Sequence, residues 1–346
     1  MTEDTDIPER IREKSRELDR AALYRKLLLF GGLLVLLALT TAGLRFVELT
    51  VGALYRNLPG WLEFVAGFLP PDFVDLTRQT KDRGIGGLNA ILQTLLHPQW
   101  FVSSILEAQL GSATVLVSAA FITVLMGFLG TVLGFPLALT FGILGSERVI
   151  PFPFNFVFRG VLSTIRAVPA IVWGLIFVPL TGFGPVTGVL AITTDTIGNL
   201  GRLLTDELEE VEDGPIEAVR STGASGPQTI IFGMLSQVYN GYVAWTLYVL
   251  EINTRIAIGL GVIGVGGLGQ YIDAKIRLGA FGTPSAYPQA AAGIVVVIAI
   301  VLTVEIVSSR IRSYLRPGED QGRGILEILR SLGDANRWLG TLNPKD

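Results

Sequence analysis

Long, mostly apolar runs alternate with polar stretches along this chain of 346 residues. A helix needs about 20 mostly apolar residues to cross the hydrocarbon core of a bilayer. The mostly apolar runs that approach or exceed this length are 27–44, 108–146, 151–180, 186–204, 228–250 and 286–307. This pattern predicts an all-α integral membrane protein with about six transmembrane helices.

One further uncharged stretch, 256–272, departs from this pattern because it is rich in glycine. Each glycine weakens a helix by about 1 kcal/mol relative to alanine. Irregular backbone at membrane depth is tolerated where it is buried in protein or lines a cavity. We therefore predict an irregular or re-entrant segment here instead of a full crossing.

Basic residues at both ends of the membrane region predict its orientation. Arg25 and Lys26 precede the first run, and Arg310 and Arg312 follow the last one. Because basic residues that flank spans favour the cytoplasmic side, both termini are expected in the cytosol.

The same pattern divides the chain into five parts. They are a cytosolic charged segment (1–26), a first transmembrane helix (27–44), an extracytoplasmic segment (45–107), a membrane core (108–312) and a cytosolic tail (313–346). Within the extracytoplasmic segment, Asn89–Leu96 is expected to form an amphipathic helix on the membrane surface.

Composition supports a membrane protein and excludes several classes of function. Charged residues make up 16% of the chain, against about 25% in soluble domains. No basic cluster interleaved with aromatic residues is present, so nucleic-acid binding is not expected. Without cysteine and with His97 as the one histidine, convergent metal ligands are lacking, and we expect neither a metal nor a cofactor.

A polar loop, residues 205–227, separates two of the predicted spans. Thr205 or Asp206 is placed to begin a helix that would reach about Val211. Pro215 suits the first turn of a second helix, which Gly223 would end. Taken by pattern alone, this loop is either an ordinary solvated connection or a short helix on which a cytosolic partner docks.

The second helix of this loop resembles the conserved loop of ABC-importer permeases. That motif has Glu-Ala-Ala, three residues, Gly, nine residues and then Ile-x-Leu-Pro, and Glu217, Ala218 and Gly223 match it at that spacing. Val219 replaces the second alanine. Gly233 and Ser236 replace the isoleucine and the proline, which makes the exit into the next span the part where the likeness is weakest.

Further motifs, in the same order along the chain, resemble the phosphonate ABC-transporter permease family. The resemblance covers roughly residues 66–312, and its motifs are Phe68–Phe73, Ile165–Pro169, Gly214–Ala218, Thr222–Ser225, Thr246–Tyr248, Glu251–Arg255 and Gly264–Gly269.

The resemblance implies the permease core of a type I ABC importer in the cell membrane. It implies a homodimer that works with an ABC ATPase dimer and an extracytoplasmic substrate-binding protein. The residues expected to couple this subunit to the ATPase are Glu217, Ala218, Val219, Arg220 and Gly223. No Gly-x-x-x-x-Gly-Lys-Ser/Thr loop is present in the sequence, so a separate subunit is expected to hydrolyse ATP and this one is not expected to be an enzyme.

Charged and amide side chains inside the predicted spans are candidates for the translocation pathway, because such groups are costly in lipid. They are Arg166, Glu251, Asn253 and Arg255. Guanidinium groups match the geometry of phosphate and phosphonate. The alternative for Glu251 and Arg255, four residues apart, is a structural ion pair, and the alternative for Arg166 is a structural or interfacial role.

Two other features have simpler interpretations than a ligand site. Gly264–Gly269 fits Gly-x-Gly-x-x-Gly, but a dinucleotide site needs a soluble βαβ unit around it, so close helix packing or a flexible gate is favoured. The acidic run 206–213 lacks the alternate spacing of calcium ligands and is interpreted as a solvated face.

Several functions remain open from the sequence. The transported oxyanion is phosphonate, phosphate or phosphite. A different class is an ion-driven secondary transporter, for which Asp195 and Glu305 are the available acids, and a third is a membrane scaffold without transport.

Overall fold

The computed structural model describes residues 7–106 and 115–315. These residues form helices and connecting loops, and no strand occurs among them. The chain divides into two compact units between Ala66 and Gly67. Beyond residue 315, the predicted cytosolic tail lies outside the described residues.

The first unit contains two helices, α1 (Ile7–Phe46) and α2 (Val51–Ala66). The charged N-terminal stretch and the first predicted span form one helix of 40 residues instead of two separate elements. No glycine or proline lies between Glu9 and Phe30 to interrupt it. Helix α2 falls within the predicted extracytoplasmic segment and was not expected from the pattern.

The second unit contains the other twelve α-helices of the described residues and two π-helical turns. The helices are α3 (Arg78–Asp82), α4 (Gly87–Leu96), α5 (Pro98–Leu106), α6 (Leu116–Gly145), α7 (Phe154–Ala167), α8 (Ala170–Thr181), α9 (Pro185–Glu209), α10 (Asp213–Ser221), α11 (Gly226–Gln228), α12 (Ser236–Leu260), α13 (Gly267–Ala280) and α14 (Ala286–Leu315). The π-helical turns are Thr229–Leu235 and Gly261–Val265.

Four stretches of the described helices are long and apolar enough to cross a membrane. They are Leu23–Phe46, Leu116–Gly145, Gly226–Val265 and Ala286–Tyr314. The pair α7 and α8, bent by 93° at its junction, makes a fifth if it counts as one span. The remaining predicted span corresponds to α9, which has 25 residues but is more polar than these because it carries Asp195, Asn199 and Arg202.

Helices α6 and α9 pack closely at the centre of the second unit. A Cβ atom added to Gly134 would lie 2.6 Å from Cβ of Thr196, and one added to Gly142 would lie 2.8 Å from the carbonyl oxygen of Gly201. Small residues at these positions let the two backbones approach each other.

The predicted start of a new helix at Thr205 or Asp206 is wrong, because α9 continues without interruption to Glu209. Thr205 is fully buried, and its hydroxyl donates hydrogen bonds to the carbonyl oxygens of Gly142 and Gly201, both at 3.0 Å. It therefore joins α9 to α6 instead of capping a helix, and the buried apolar face of α9 extends past it to Leu208.

The glycine-rich segment 256–272 is irregular only over residues 261–266, because residues 256–260 belong to α12 and residues 267–272 to α13. Gly264 and Gly266 adopt positive φ angles of 91° and 103°, which end the long helix after the π-helical turn. Helix α13 then runs back against the end of α12, where the Cα of Gly269 packs beside the backbone of Ile258 and leaves no room for a side chain.

Candidate coupling helix and translocation pathway

Helix α10 stands apart from the main helix packing. Among its nine residues, only Ile216 is buried. Ile216 packs with Leu208, Met234 and Val238 in one apolar cluster, while the side chain of Glu217 is exposed. The helix is therefore held by one apolar contact and presents the rest of its surface outward.

The end of α10 is set by Gly223. Its φ of +83° lies in the left-handed region, and a Cβ atom added there would meet no other group within 4 Å. The requirement for glycine is thus conformational and not steric. Ser225 and Gln228 then form a capping box at the start of α11, with the Ser225 N–H donating to Oε1 of Gln228 at 2.8 Å.

Gly233, which departs from the importer motif, has a specific role in this structure. It lies in the π-helical turn before α12, and a Cβ atom added to it would lie 3.3 Å from Cα of Ile216. The missing side chain lets α10 rest on this turn. The exit from the loop is therefore well packed despite the replaced residues.

Helix α10 is also tied to α12 through a side-chain amide. The Glu212 N–H donates to Oε1 of Gln237 at 3.1 Å, and Nε2 of Gln237 donates to the carbonyl oxygen of Glu212 at 3.1 Å. Nε2 also donates to the carbonyl oxygen of Gly233 at 2.6 Å. A displacement of the start of α10 would therefore pull directly on the start of α12.

A shallow groove of about 610 Å³ runs along the outer surface of α10 and the following turn. It is lined mainly by small residues, among them Ala218, Val219 and Gly223, with Phe232 at its edge. Arg220 is exposed and makes no ion pair with any described residue. Three of the five predicted coupling residues line this groove, the other two, Glu217 and Arg220, are exposed on the same helix, and the role of all five in coupling stays a prediction.

Two arginines that the sequence pattern does not single out bind acidic residues of this loop. Nη1 of Arg148 donates to Oδ1 of Asp213 at 2.6 Å, and its Nε donates to the carbonyl oxygen of Glu209 at 3.1 Å. Arg159 contacts the carboxylate of Glu209. The acidic run is therefore only partly a solvated face. The partners lie 65 positions apart in the case of Arg148 and Asp213, so no local pattern signals their contact.

Glu251 and Arg255 lie in a group of four charges between α12 and α14. Nη2 of Arg255 donates to Oε1 of Glu251 at 2.5 Å and lies 3.8 Å from Glu305, while Nη2 of Arg312 lies 3.7 Å from Glu251. The Glu251 side chain is 7% exposed and that of Arg255 is 51% exposed. Glu251 is thus a buried structural partner, whereas Arg255 keeps part of its guanidinium accessible.

The other two pathway candidates lie in different environments. Asn253 is fully buried, and its Nδ2 donates to the hydroxyl oxygens of Thr131 and Thr196, both at 2.8 Å. It joins α6, α9 and α12, which favours a structural role. Arg166 is exposed at the end of α7, next to the 93° bend, and makes no ion pair within the described residues.

The acids suggested for an ion-driven transporter do not form a shared site. Asp195 accepts a hydrogen bond from Nδ2 of Asn199 at 3.0 Å, and Glu305 belongs to the charge group on α14. Within the described residues, no cluster of three or more His, Asp or Glu side chains is arranged to hold a metal ion.

A buried carboxylate anchors α3–α5 to the core. Asp75 is 2% exposed and pairs with Nζ of Lys275 at 2.5 Å, while the Tyr271 hydroxyl donates to it at 3.1 Å. Burial, and then the nearby Asp75 charge, raises the pKa of Tyr271, so the phenol stays protonated and remains a donor. The carbonyl oxygen of Asp75 also accepts a hydrogen bond from the N–H of Leu116 at 2.8 Å. This bond satisfies the first backbone N–H group of α6, which has no partner within the helix.

Known transport proteins are similar to this chain in sequence. No protein-family model matches the chain. It is 35% identical over 201 residues to the phosphate-import permease protein PhnE of Mycolicibacterium smegmatis, a match that covers 58% of this chain and 37% of that protein. It is 30% identical over 195 residues to the phosphite transport system permease protein PtxC of Stutzerimonas stutzeri, covering 56% of this chain and 69% of that protein.

The chain belongs to the phosphonate and phosphite ABC-transporter permease family.

A solved structure supports the fold independently. The inward-facing MetNI methionine ABC transporter contains a chain that superposes with a TM-score of 0.50 at 21% identity, over 58% of this chain and 96% of that one. The all-α membrane fold of an ABC-importer permease is therefore confirmed. With 37% of the mycobacterial relative covered, the substrate and partners of the whole protein are matters for proposal.

Proposed function

We propose that this chain is the membrane-spanning subunit of an ATP-driven importer for phosphonate or a related small oxyanion. The observation that carries the proposal is α10, a helix with one buried residue that ends at a left-handed glycine. An importer permease needs such an element because the energy comes from a separate ATPase. This sequence has no phosphate loop of its own.

Movement of α10 would be carried into the membrane along α12. Gln237 holds the start of α10, and Ile216 rests on the turn before α12. From Gln237 to Arg255 the helix rises about 27 Å. A docked ATPase that moves α10 would therefore move the part of α12 that carries Arg255. This movement would switch the pathway between inward and outward access.

Two guanidinium groups support an oxyanion as the substrate. Arg166 makes no ion pair among the described residues, and Arg255 is 51% exposed. An exposed guanidinium is costly in lipid, so the accessible parts of both groups are expected to face water or a protein partner. Arginine binds phosphate-like oxygens through two parallel hydrogen bonds. Phosphate, phosphite and phosphonate share these oxygens, and the names of the relatives include the first two.

The proposed partners are an ABC ATPase dimer at α10, a second copy of this chain and an extracytoplasmic substrate-binding protein. Both termini would be cytoplasmic in the cell membrane. Binding in the pathway must be weak enough for release, so selectivity would lie mostly in the binding protein.

The test is uptake into proteoliposomes that contain this chain, its cognate ATPase and the binding protein. Glu217→Lys and Gly223→Asp are expected to leave the protein in the membrane while uptake per ATP hydrolysed falls at least about tenfold. Glu210→Lys is the matched control, because Glu210 is an equally exposed acid outside α10. Normal uptake by both α10 variants would contradict the coupling assignment.

The substrate is tested in the same vesicles. Arg255→Gln and Arg166→Gln are expected to lower phosphonate uptake, and Arg202→Gln is expected to have no effect because Arg202 pairs with Asp206 within α9. Uptake that proceeds without the ATPase, driven by an ion gradient, would favour a secondary transporter.

A further inference from the structure

Arg148 is held in place at the end of α6. The preceding Ser146 is fully buried and ends α6 with its N–H donating to the carbonyl oxygen of Ile143 at 3.2 Å. The Arg148 N–H in turn donates to Oγ of Ser146 at 3.3 Å. The guanidinium therefore projects from an ordered turn and not from a free loop.

From this turn, Arg148 reaches both elements of the candidate coupling loop. It binds the Asp213 carboxylate at the first residue of α10 and the carbonyl oxygen of Glu209 at the last residue of α9. A cation at the carbonyl end of a helix and a carboxylate at the amino end of the next one both complement the helix dipoles. One side chain thus spans the joint between α9 and α10.

Arg159 makes the corresponding contacts from α7. Its Nε donates to the carbonyl oxygen of Gly145 at 3.0 Å, and its other nitrogens face the carboxylates of Glu209 and, at 3.9 Å, Glu147. The Arg159 side chain is 22% exposed, so solvent screens it only in part. We call Arg148, Arg159, Glu209 and Asp213 the arginine clamp.

The arginine clamp is separate from the link to α12. Gln237 and Ile216 attach α10 to α12. Arg148 attaches α10 to the turn after α6, and Arg159 attaches α7 to Glu209 at the end of α9. Along α7, Arg159 lies about 10 Å from Arg166, the arginine beside the 93° bend. Helix α10 is therefore connected to Arg255 through α12, and to Arg166 through Arg148, the end of α9 and α7.

We propose that Arg148 and Arg159 are positioning residues that transmit the movement of α10 to α6 and α7. This inference rests on the proposed function, because it names how the same coupling helix acts on the second arginine. Without the clamp, a motor pushing on α10 would move α12 and leave the bent pair α7 and α8 behind. ATP would be hydrolysed with less transport.

The test is the ratio of phosphonate uptake to ATP hydrolysed in the proteoliposomes described above. Arg148→Gln is expected to lower this ratio on the order of threefold, the size typical of one partly exposed ion pair, while stimulated ATPase activity persists. The charge exchange Arg148→Asp with Asp213→Arg is expected to restore most of the ratio. Arg202→Gln is the control, since its ion pair with Asp206 stays within α9.

Each outcome has a distinct consequence. A normal ratio in Arg148→Gln, or a loss that the charge exchange does not restore, would overturn the clamp and leave the proposed function intact. Absence of ATP-dependent uptake by the unaltered chain would overturn the proposed function and the clamp together. The melting temperature in detergent distinguishes a coupling role from a merely structural one, because the coupling role predicts no change in Arg148→Gln.

Discussion

Replacing Gly223 by alanine tests the coupling helix at its most constrained backbone position. The φ of +83° is one that L side chains rarely adopt, and no atom would lie within 4 Å of the added methyl group. The effect is thus purely conformational and costs about 1–2 kcal/mol. This corresponds to a roughly 5- to 30-fold smaller population of the turn that positions α10.

Gly214→Ala is the matched control within the same helix. Gly214 has an ordinary φ and an equally empty surrounding, so alanine there introduces no left-handed strain. Hydrogen–deuterium exchange over α10 and uptake per ATP are measured for both variants in vesicles with the ATPase. We expect faster exchange and poorer coupling in Gly223→Ala alone. Identical behaviour of the two variants would refute the argument from backbone conformation.

Two further predictions concern the scaffold around the site. Gly134→Ala places a methyl group 2.6 Å from Cβ of Thr196 and is expected to destabilise the protein by about 1–3 kcal/mol. The measurement is the melting temperature in detergent, which should fall. Gly160→Ala is the control, because no atom lies within 4 Å of its added methyl group and the melting temperature should not fall. Asp75→Asn removes a charge from a buried ion pair and is expected to lower the free energy of unfolding by about 3–5 kcal/mol. Asp82→Asn removes a charge from an exposed pair and is expected to change it by at most about 1 kcal/mol. Equal melting temperatures of a variant and its control would contradict the corresponding packing assignment.

The elements that the sequence predicted well are those with local causes. The length of the apolar runs predicted the membrane spans, and Pro215 and Gly223 predicted the bounds of the coupling helix to within two residues. Each of these follows from a few consecutive residues and their backbone preferences.

The features that the sequence did not predict depend on distant contacts. The Arg148–Asp213 pair joins residues 65 positions apart, and the buried Asn253 bridges Thr131, 122 positions away. Gly233 looked like a mismatch to a motif because its contact with Ile216 forms only in the folded chain. Thr205 looked like a helix cap for the same reason, although its hydroxyl serves the packing of α9 on α6.

The most direct test of the central claim is a contact between α10 and the partner ATPase. The chain has no cysteine, so single cysteines can be placed at Ala218 on α10 and at Leu88 on α4, both exposed. Treatment of the assembled complex with a thiol-reactive cross-linker is expected to join the ATPase to Ala218→Cys and not to Leu88→Cys. An intact complex in which Ala218→Cys gives no adduct, or in which Leu88→Cys does, would contradict the account.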